Sequence, residues 1–173
     1  MAGEREFIAL DIAVLTVSDS RTLDDDKSGT LLAERIRSSG HRLAQREVVR
    51  DDIYAVRAAV SRWIADDNVQ VVITTGGTGL TGRDGTPEAI RPLFDKEITG
   101  FGEMFRVLSF EDIATSTLQS RATAGVANGT FIFALPGSSG ACRDGWDKLI
   151  RAQLDYRTRP CNLTELIPRL RER

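Results

Sequence analysis

A β-branched run that stops at a cluster of glycines constrains this chain more than any other feature. Residues 69–74 read as a buried strand, and the loop behind it holds glycines at 76, 77, 79, 82 and 85. The loop runs into a helix start. Thr86 suits the cap, Pro87 suits the first helical position, and Glu88 suits the positive end of the dipole. A strand, a glycine loop and a helix N-terminus together form an anion cradle, because unpaired backbone amides point outward and no side chain blocks close approach. Asp84 sits inside the loop. A carboxylate there opposes a bare phosphate, so it makes sense as a Mg²⁺ ligand or as a catalytic group.

The loop is not a Walker loop, since no lysine occurs between Lys27 and Lys96. The segment Gly77-Thr78-Gly79-Leu80-Thr81-Gly82 fits the dinucleotide pattern G-x-G-x-x-G. That pattern requires the helix to follow at once, whereas here the helix signals wait until Thr86, so a nicotinamide dehydrogenase is discounted. A glycine-rich turn without a ligand is the plain alternative.

Strand and helix patterns alternate along the chain, which predicts a three-layer α/β/α fold with a mostly parallel sheet. Strands are expected at 12–17, 42–49 and 69–74. Helices are expected at 28–39, stopped by Gly40; at 53–64, capped by Asp51 or Asp52; at 101–110; and at 141–156. Asn128-Gly129 joins segments 122–127 and 130–134 as a two-residue hairpin, which predicts an antiparallel edge. No repeat or linker divides the chain, so one domain over 1–173 is expected, with its core at about 9–166 and a charged C-terminal tail.

In a parallel sheet all the strand ends lie on one edge, where ligands of open α/β sheets bind. Four polar segments meet there: Ser18-Asp19, Asp51-Asp52, the glycine loop, and Pro136-Gly137-Ser138. Asp51 and Asp84 should lie close. Two neighbouring carboxylates repel unless a cation joins them, and Mg²⁺ also favours phosphate oxygens. A helix cap is the simpler role for Asp51 or Asp52. Gly137-Ser138 makes a second anion nest at the start of the last helix, or an ordinary strand-to-helix turn.

Other features read more plainly. Asp24, Asp25 and Asp26 form a solvated acidic loop, lacking the alternation of a calcium loop. Arg157, Arg159, Arg169, Arg171 and Arg173 make a soluble tail. Phe101, Met104, Phe105 and Leu108 serve the core or a subunit contact. His41, the single histidine, is a cap or surface residue and rules out an obvious Ser/His/Asp triad. Cys142 and Cys161 have no metal-ligand spacing and read as reduced thiols of a cytoplasmic protein. With 25 acidic against 23 basic residues the net charge is −2, which gives no support for nucleic-acid binding. No apolar run approaches a membrane span, and Met1-Ala2-Gly3-Glu4-Arg5-Glu6 lacks the apolar segment of a signal peptide.

At these motifs the chain resembles the molybdopterin-binding family of molybdenum cofactor biosynthesis, the MogA/MoaB group. The resemblance is carried by Leu15-Thr16-Val17-Ser18-Asp19, Asp51-Asp52, Thr74-Thr75-Gly76-Gly77-Thr78-Gly79 and Arg83-Asp84 with Thr86-Pro87-Glu88-Ala89. Gly100-Phe101-Gly102-Glu103 and Leu135-Pro136-Gly137-Ser138 continue it. Ser116-Thr117-Leu118-Gln119-Ser120-Arg121 and Arg157-Thr158-Arg159-Pro160-Cys161-Asn162 are more similar to the MoaB branch.

The resemblance implies adenylylation of molybdopterin with Mg-ATP. The terminal phosphate of the pterin attacks the α-phosphorus, and pyrophosphate leaves. It assigns metal-linked catalytic roles to Asp51 and Asp84, phosphate cradling to Gly76, Gly77, Thr78 and Gly79, and pocket roles to Pro136, Gly137 and Ser138. Ser18 and Asp19 are expected at the pterin. It also implies a homo-oligomer, trimer or hexamer. The alternative is a non-catalytic molybdopterin carrier of the same pathway, because MoaB-like members are less securely enzymes.

Overall fold

The computed structural model describes residues 5–172. The N-terminal reading at Met1–Glu4 and the tail residue Arg173 lie outside the described residues. Strand β1 (Asp11–Val17) is followed by helix α1 (Lys27–Ser38), β2 (Arg42–Val49), α2 (Ile53–Ile64) and β3 (Val71–Thr75). A short helix α3 (Thr86–Ile90) leads to a two-residue strand β4 (Lys96–Glu97), then α4 (Thr99–Ile113) and a 3₁₀ segment (Ala114–Gln119). The hairpin β5 (Thr123–Ala127) and β6 (Thr130–Leu135) precedes α5 (Ser139–Asp144), a π-turn (Gly145–Ile150) and α6 (Arg151–Gln153).

The six strands form one sheet in the order β2-β1-β3-β6-β5-β4. Pairs β1–β2, β1–β3 and β3–β6 are parallel, while β5 runs antiparallel to both β6 and β4. The hairpin turn has Asn128 at φ 49° and Gly129 at φ 81°, as the Asn-Gly pair requires. The edge goes one strand further than the hairpin alone predicted. Lys96–Glu97 is too short and too charged to announce itself as a strand.

Alternate residues of the central strands enter two cores, which makes the three layers. Ile12, Val14, Val71, Ile73 and Phe133 pack against Leu32 and Ile36 of α1, Phe101 and Phe105 of α4, and Trp146. Ala13, Leu15, Val72, Ile132 and Ala134 pack against Val56, Val60 and Trp63 of α2 and Ile90 of α3. Gly40, at φ 88°, ends α1 as expected.

Four expectations are corrected. Thr86 does not cap α3: Gly85 stands at that position, and the buried Thr86 hydroxyl donates instead to the Gly76 carbonyl at 2.9 Å. Asp26 is not solvated, although Asp24 and Asp25 are exposed. Asp26 is 2% exposed and caps α1, accepting from the Gly29 amide at 2.9 Å, the Thr16 hydroxyl at 2.6 Å and the Arg46 guanidinium at 3.0 Å. Those donors hold its pKa below the usual carboxylate value even though burial pushes it up.

His41 is buried rather than at the surface. Its Nδ1 accepts the Leu10 amide at 3.1 Å, and its ring lies between Phe7 and Trp146. Burial holds its pKa below the usual value. The tail is not merely soluble. Leu163, Ile167 and Leu170 fold back onto the core, and buried Asn162 donates to the carbonyls of Tyr156 and Thr158 at 3.1 and 3.0 Å. The cysteines are free thiols. Cys142 is buried, with its pKa pushed up to about 11 by burial, and Cys161 is exposed.

Candidate functional site

The carboxyl ends of β1, β3 and β6 open into a cleft of about 1040 Å³. Ser18, Asp19, Asp51, Gly76, Gly77, Thr78, Gly79, Asp84, Pro136, Gly137 and Ser138 all line it. The four polar segments therefore converge as the sheet order requires.

The glycine loop is shaped by the backbone. Gly76 and Gly77 have φ of 101° and 66°, the left-handed region that side chains disfavour. A Cβ on Gly76 would lie 2.2 Å from the Val17 carbonyl oxygen, so β1 and the loop touch main chain to main chain. The Gly76 amide donates to the Leu135 carbonyl, and the Thr86 amide donates to the Gly77 carbonyl. The loop is thus stitched to β6 on one side and to α3 on the other.

The two aspartates differ in their surroundings. Asp84 Oδ2 accepts from the Thr81 amide at 2.8 Å and the Thr81 hydroxyl at 2.6 Å. The Thr81 hydroxyl foremost, with the Thr81 and Gly79 amides and the Arg121 charge, holds its pKa below the usual value. Asp51 is half-buried, and its Oδ1 is shielded from solvent without a hydrogen-bond partner. Burial first, then repulsion from Asp84 and Asp19, raises the Asp51 pKa against the opposing Gly85 amide and Arg83 charge. Asp52, not Asp51, caps α2, accepting from the Ala55 amide at 2.8 Å, so Asp51 is left facing the cleft.

Asp19 ties these groups together. Its Oδ1 accepts the Asp51 amide at 3.2 Å, and its Oδ2 pairs with Arg83 at 2.6 Å. Ser138 caps α5 through the Ala141 amide at 3.2 Å, so a structural role coexists with its place on the cleft wall. Among the described residues no group of three or more His, Cys, Asp or Glu side chains is arranged to hold a metal. The Asp51–Asp84 pair could hold a cation only with oxygens supplied by a ligand or water.

Several lining groups lie outside the expected set. Arg21 comes from the β1–α1 connection, Lys27 and Ser28 from the first turn of α1, and Arg143 from α5. Ser109, Asp112, Ser116 and Gln119 form a wall from the end of α4 and the 3₁₀ segment. Their spacing of three, four and three is a polar stripe at helical period, a signal that could have found them.

The family model for a probable molybdopterin binding domain matches residues 13–156. The molybdenum cofactor biosynthesis protein B of Escherichia coli K12 is 59% identical over 157 residues, covering 91% of this chain and 92% of that protein. A crystal structure of a molybdenum cofactor biosynthesis protein B superposes with a TM-score of 0.88 at 39% identity, covering 98% of this chain and all of that one. The tungsten cofactor synthesizing protein MoaB of Pyrococcus furiosus superposes with a TM-score of 0.79 at 36% identity, covering 95% and 98% of the two chains.

Proposed function

We propose, for a chain that belongs to the molybdopterin-binding family of molybdenum cofactor biosynthesis, that the sheet-edge cleft adenylylates molybdopterin with Mg-ATP. The observation that carries this reading is the pair Asp51 and Asp84, both lining the cleft beside the glycine loop, Asp51 next to Gly77 and Asp84 next to Gly79, one of them with a shielded, unpartnered oxygen. A buried carboxylate oxygen left without a donor beside a second carboxylate favours a cation. Asp51 and Asp84 would hold Mg²⁺, which supplies charge neutralisation at the phosphates when bound.

The protein's own part is positioning. The backbone of Gly76 to Gly79 approaches the phosphates, with Gly137 and Ser138 opposite, and Ser18 and Asp19 face the pterin side. One P–O bond forms between the terminal phosphate of molybdopterin and the α-phosphorus of ATP. The bond to the β-phosphate breaks, and pyrophosphate carries the electron pair away. Little acid–base chemistry is required, in keeping with a cleft that contains no histidine. The exposed apolar face of α4 and the 3₁₀ segment, with Met104, Val107, Phe110 and Leu118, is the proposed contact of a homo-oligomer, trimer or hexamer.

Asp84→Asn tests the reading, because the amide oxygen can keep both Thr81 bonds while the charge is lost. At saturating Mg-ATP, molybdopterin should still bind while pyrophosphate release falls by orders of magnitude. Asp51→Asn should behave alike, and the double variant should lose less than the product of the two. An active parent with a fully active Asp84→Asn variant removes Asp84 from the mechanism. A parent that binds molybdopterin without releasing pyrophosphate is a carrier.

A further inference from the structure

Arg121 lies just before β5, yet it touches the glycine loop at three backbone atoms. Its amide donates to the Thr78 carbonyl at 3.2 Å, its Nε to the Gly79 carbonyl at 2.8 Å, and its Nη2 to the Asp84 carbonyl at 2.8 Å. Its Nη1 pairs with Glu88, on the helix that follows the loop. The Arg121 side chain is about one-quarter exposed, and Arg121 is not among the residues lining the cleft.

One side chain thus grips the loop near its start, at the aspartate and on the helix beyond. We propose that Arg121 is a positioning residue that sets the glycine loop and Asp84 in register with Asp51. The inference rests on the adenylylation reading for its effect on turnover, but its effect on the loop does not.

The geometry supports this in two ways. First, the loop has few fastenings of its own. Leu80, Thr81, Gly82 and Arg83 are exposed, and a Cβ on Gly82 would meet nothing within 4 Å. The main chain of the Thr81–Asp84 turn closes on itself, through the Asp84 amide to the Thr81 carbonyl at 3.0 Å and the two bonds from Thr81 to the Asp84 carboxylate, and its Arg83 reaches Asp19 through an exposed ion pair. Beyond the exposed Arg83–Asp19 ion pair, Arg121 ties the main chain of this turn to the segment that leads into β5. Second, the planar fork matters. Nε and Nη2 reach two carbonyls at once, which a lysine ammonium on a flexible stem cannot reproduce with the same fixed spacing. Arg121 also begins the segment that follows the polar wall of the 3₁₀ helix, so it couples two sides of the cleft.

The test compares Arg121→Lys and Arg121→Ala with Glu88→Gln, which removes the ion pair but leaves the three contacts to loop carbonyls. Amide hydrogen exchange on the full chain should accelerate across 78–85 in both Arg121 variants, with the central strands unchanged, and only slightly in Glu88→Gln. Pyrophosphate release should fall roughly 10- to 100-fold in Arg121→Lys with the melting temperature little moved, as a loosened catalytic group demands. Added guanidinium should partly restore Arg121→Ala.

Unchanged exchange at 78–85 in Arg121→Lys overturns the proposal, as does exchange accelerated equally over the whole sheet. If the parent shows no pyrophosphate release, adenylylation fails while the exchange result still decides the role of Arg121.

Discussion

Replacing Gly77 by alanine should cost the fold about 2–5 kcal/mol, a figure that follows from two local terms. Gly77 sits at φ 66°, and an L residue held there loses about 1–2 kcal/mol. Its new Cβ would lie 2.3 Å from Thr86 Oγ1, so the hydroxyl must leave its bond to the Gly76 carbonyl. A buried carbonyl stripped of its donor costs about 1–3 kcal/mol. The same Cβ comes within 3.1 Å of Asp51 Oδ1, so the damage reaches the site as well as the fold.

The assay is urea unfolding at one fixed protein concentration, since assembly would otherwise shift the apparent stability. Gly82→Ala is the control: its Cβ meets nothing, so it should be neutral or stabilising by up to about 1 kcal/mol. In a Thr86→Ala background the obstructing hydroxyl is gone, and Gly77→Ala should cost only the left-handed term of about 1–2 kcal/mol. A Gly77→Ala variant as stable as Gly82→Ala would refute the reasoning. An unchanged cost in the Thr86→Ala background would refute the steric half of it.

Asp26 gives an acid signature: its folded pKa is lowered, so its stabilising contribution is complete above the unfolded value of about 3.9 and is lost as pH falls through the folded value. The melting-temperature gap between the parent and Asp26→Asn should therefore be widest near neutrality and narrow as pH drops below about 4; a pH-independent gap contradicts it. For assembly, light scattering at micromolar concentration should find an oligomer that Phe110→Glu weakens, and a stable parent monomer removes the proposed contact on α4.

The layers of this fold were legible because periodicity reports burial. The runs at β1 and β3 and the helical spacing of Val56, Val60 and Trp63 each point to one face or two, and the structure buries those faces. Legibility ended where a residue's role depends on a distant partner. Asp26 looks like the last of three equivalent acids until Thr16 and Arg46 arrive from β1 and β2 to meet it. His41 looks like a helix end, and its backbone amide does donate to the Ile36 carbonyl, but the burial of its ring is decided by Phe7 and Trp146. The short strand β4 exists because β5 offers an edge to pair with, a circumstance absent from Lys96 and Glu97 themselves.

At the site, convergence was legible and inequality was not. Strand order alone brings Asp51 and Asp84 to the same edge, but it treats them as equals. The structure separates them through their neighbours. Asp84 is supplied with donors by its own turn, so its charge is already comfortable and its carboxylate is held in one place. Asp51 has less relief: Asp52 takes the helix cap, Asp19 adds a like charge, and only the Gly85 amide and the Arg83 charge favour the Asp51 carboxylate. Burial outweighs the Gly85 amide and raises the Asp51 pKa, and two nearby acids raise it further. Of the two carboxylates, Asp51 therefore gains more from an arriving cation, while Asp84 fixes where that cation can sit. A site with one strained acid and one anchored acid favours charge neutralisation at the moment a ligand enters, which two fully satisfied carboxylates would not.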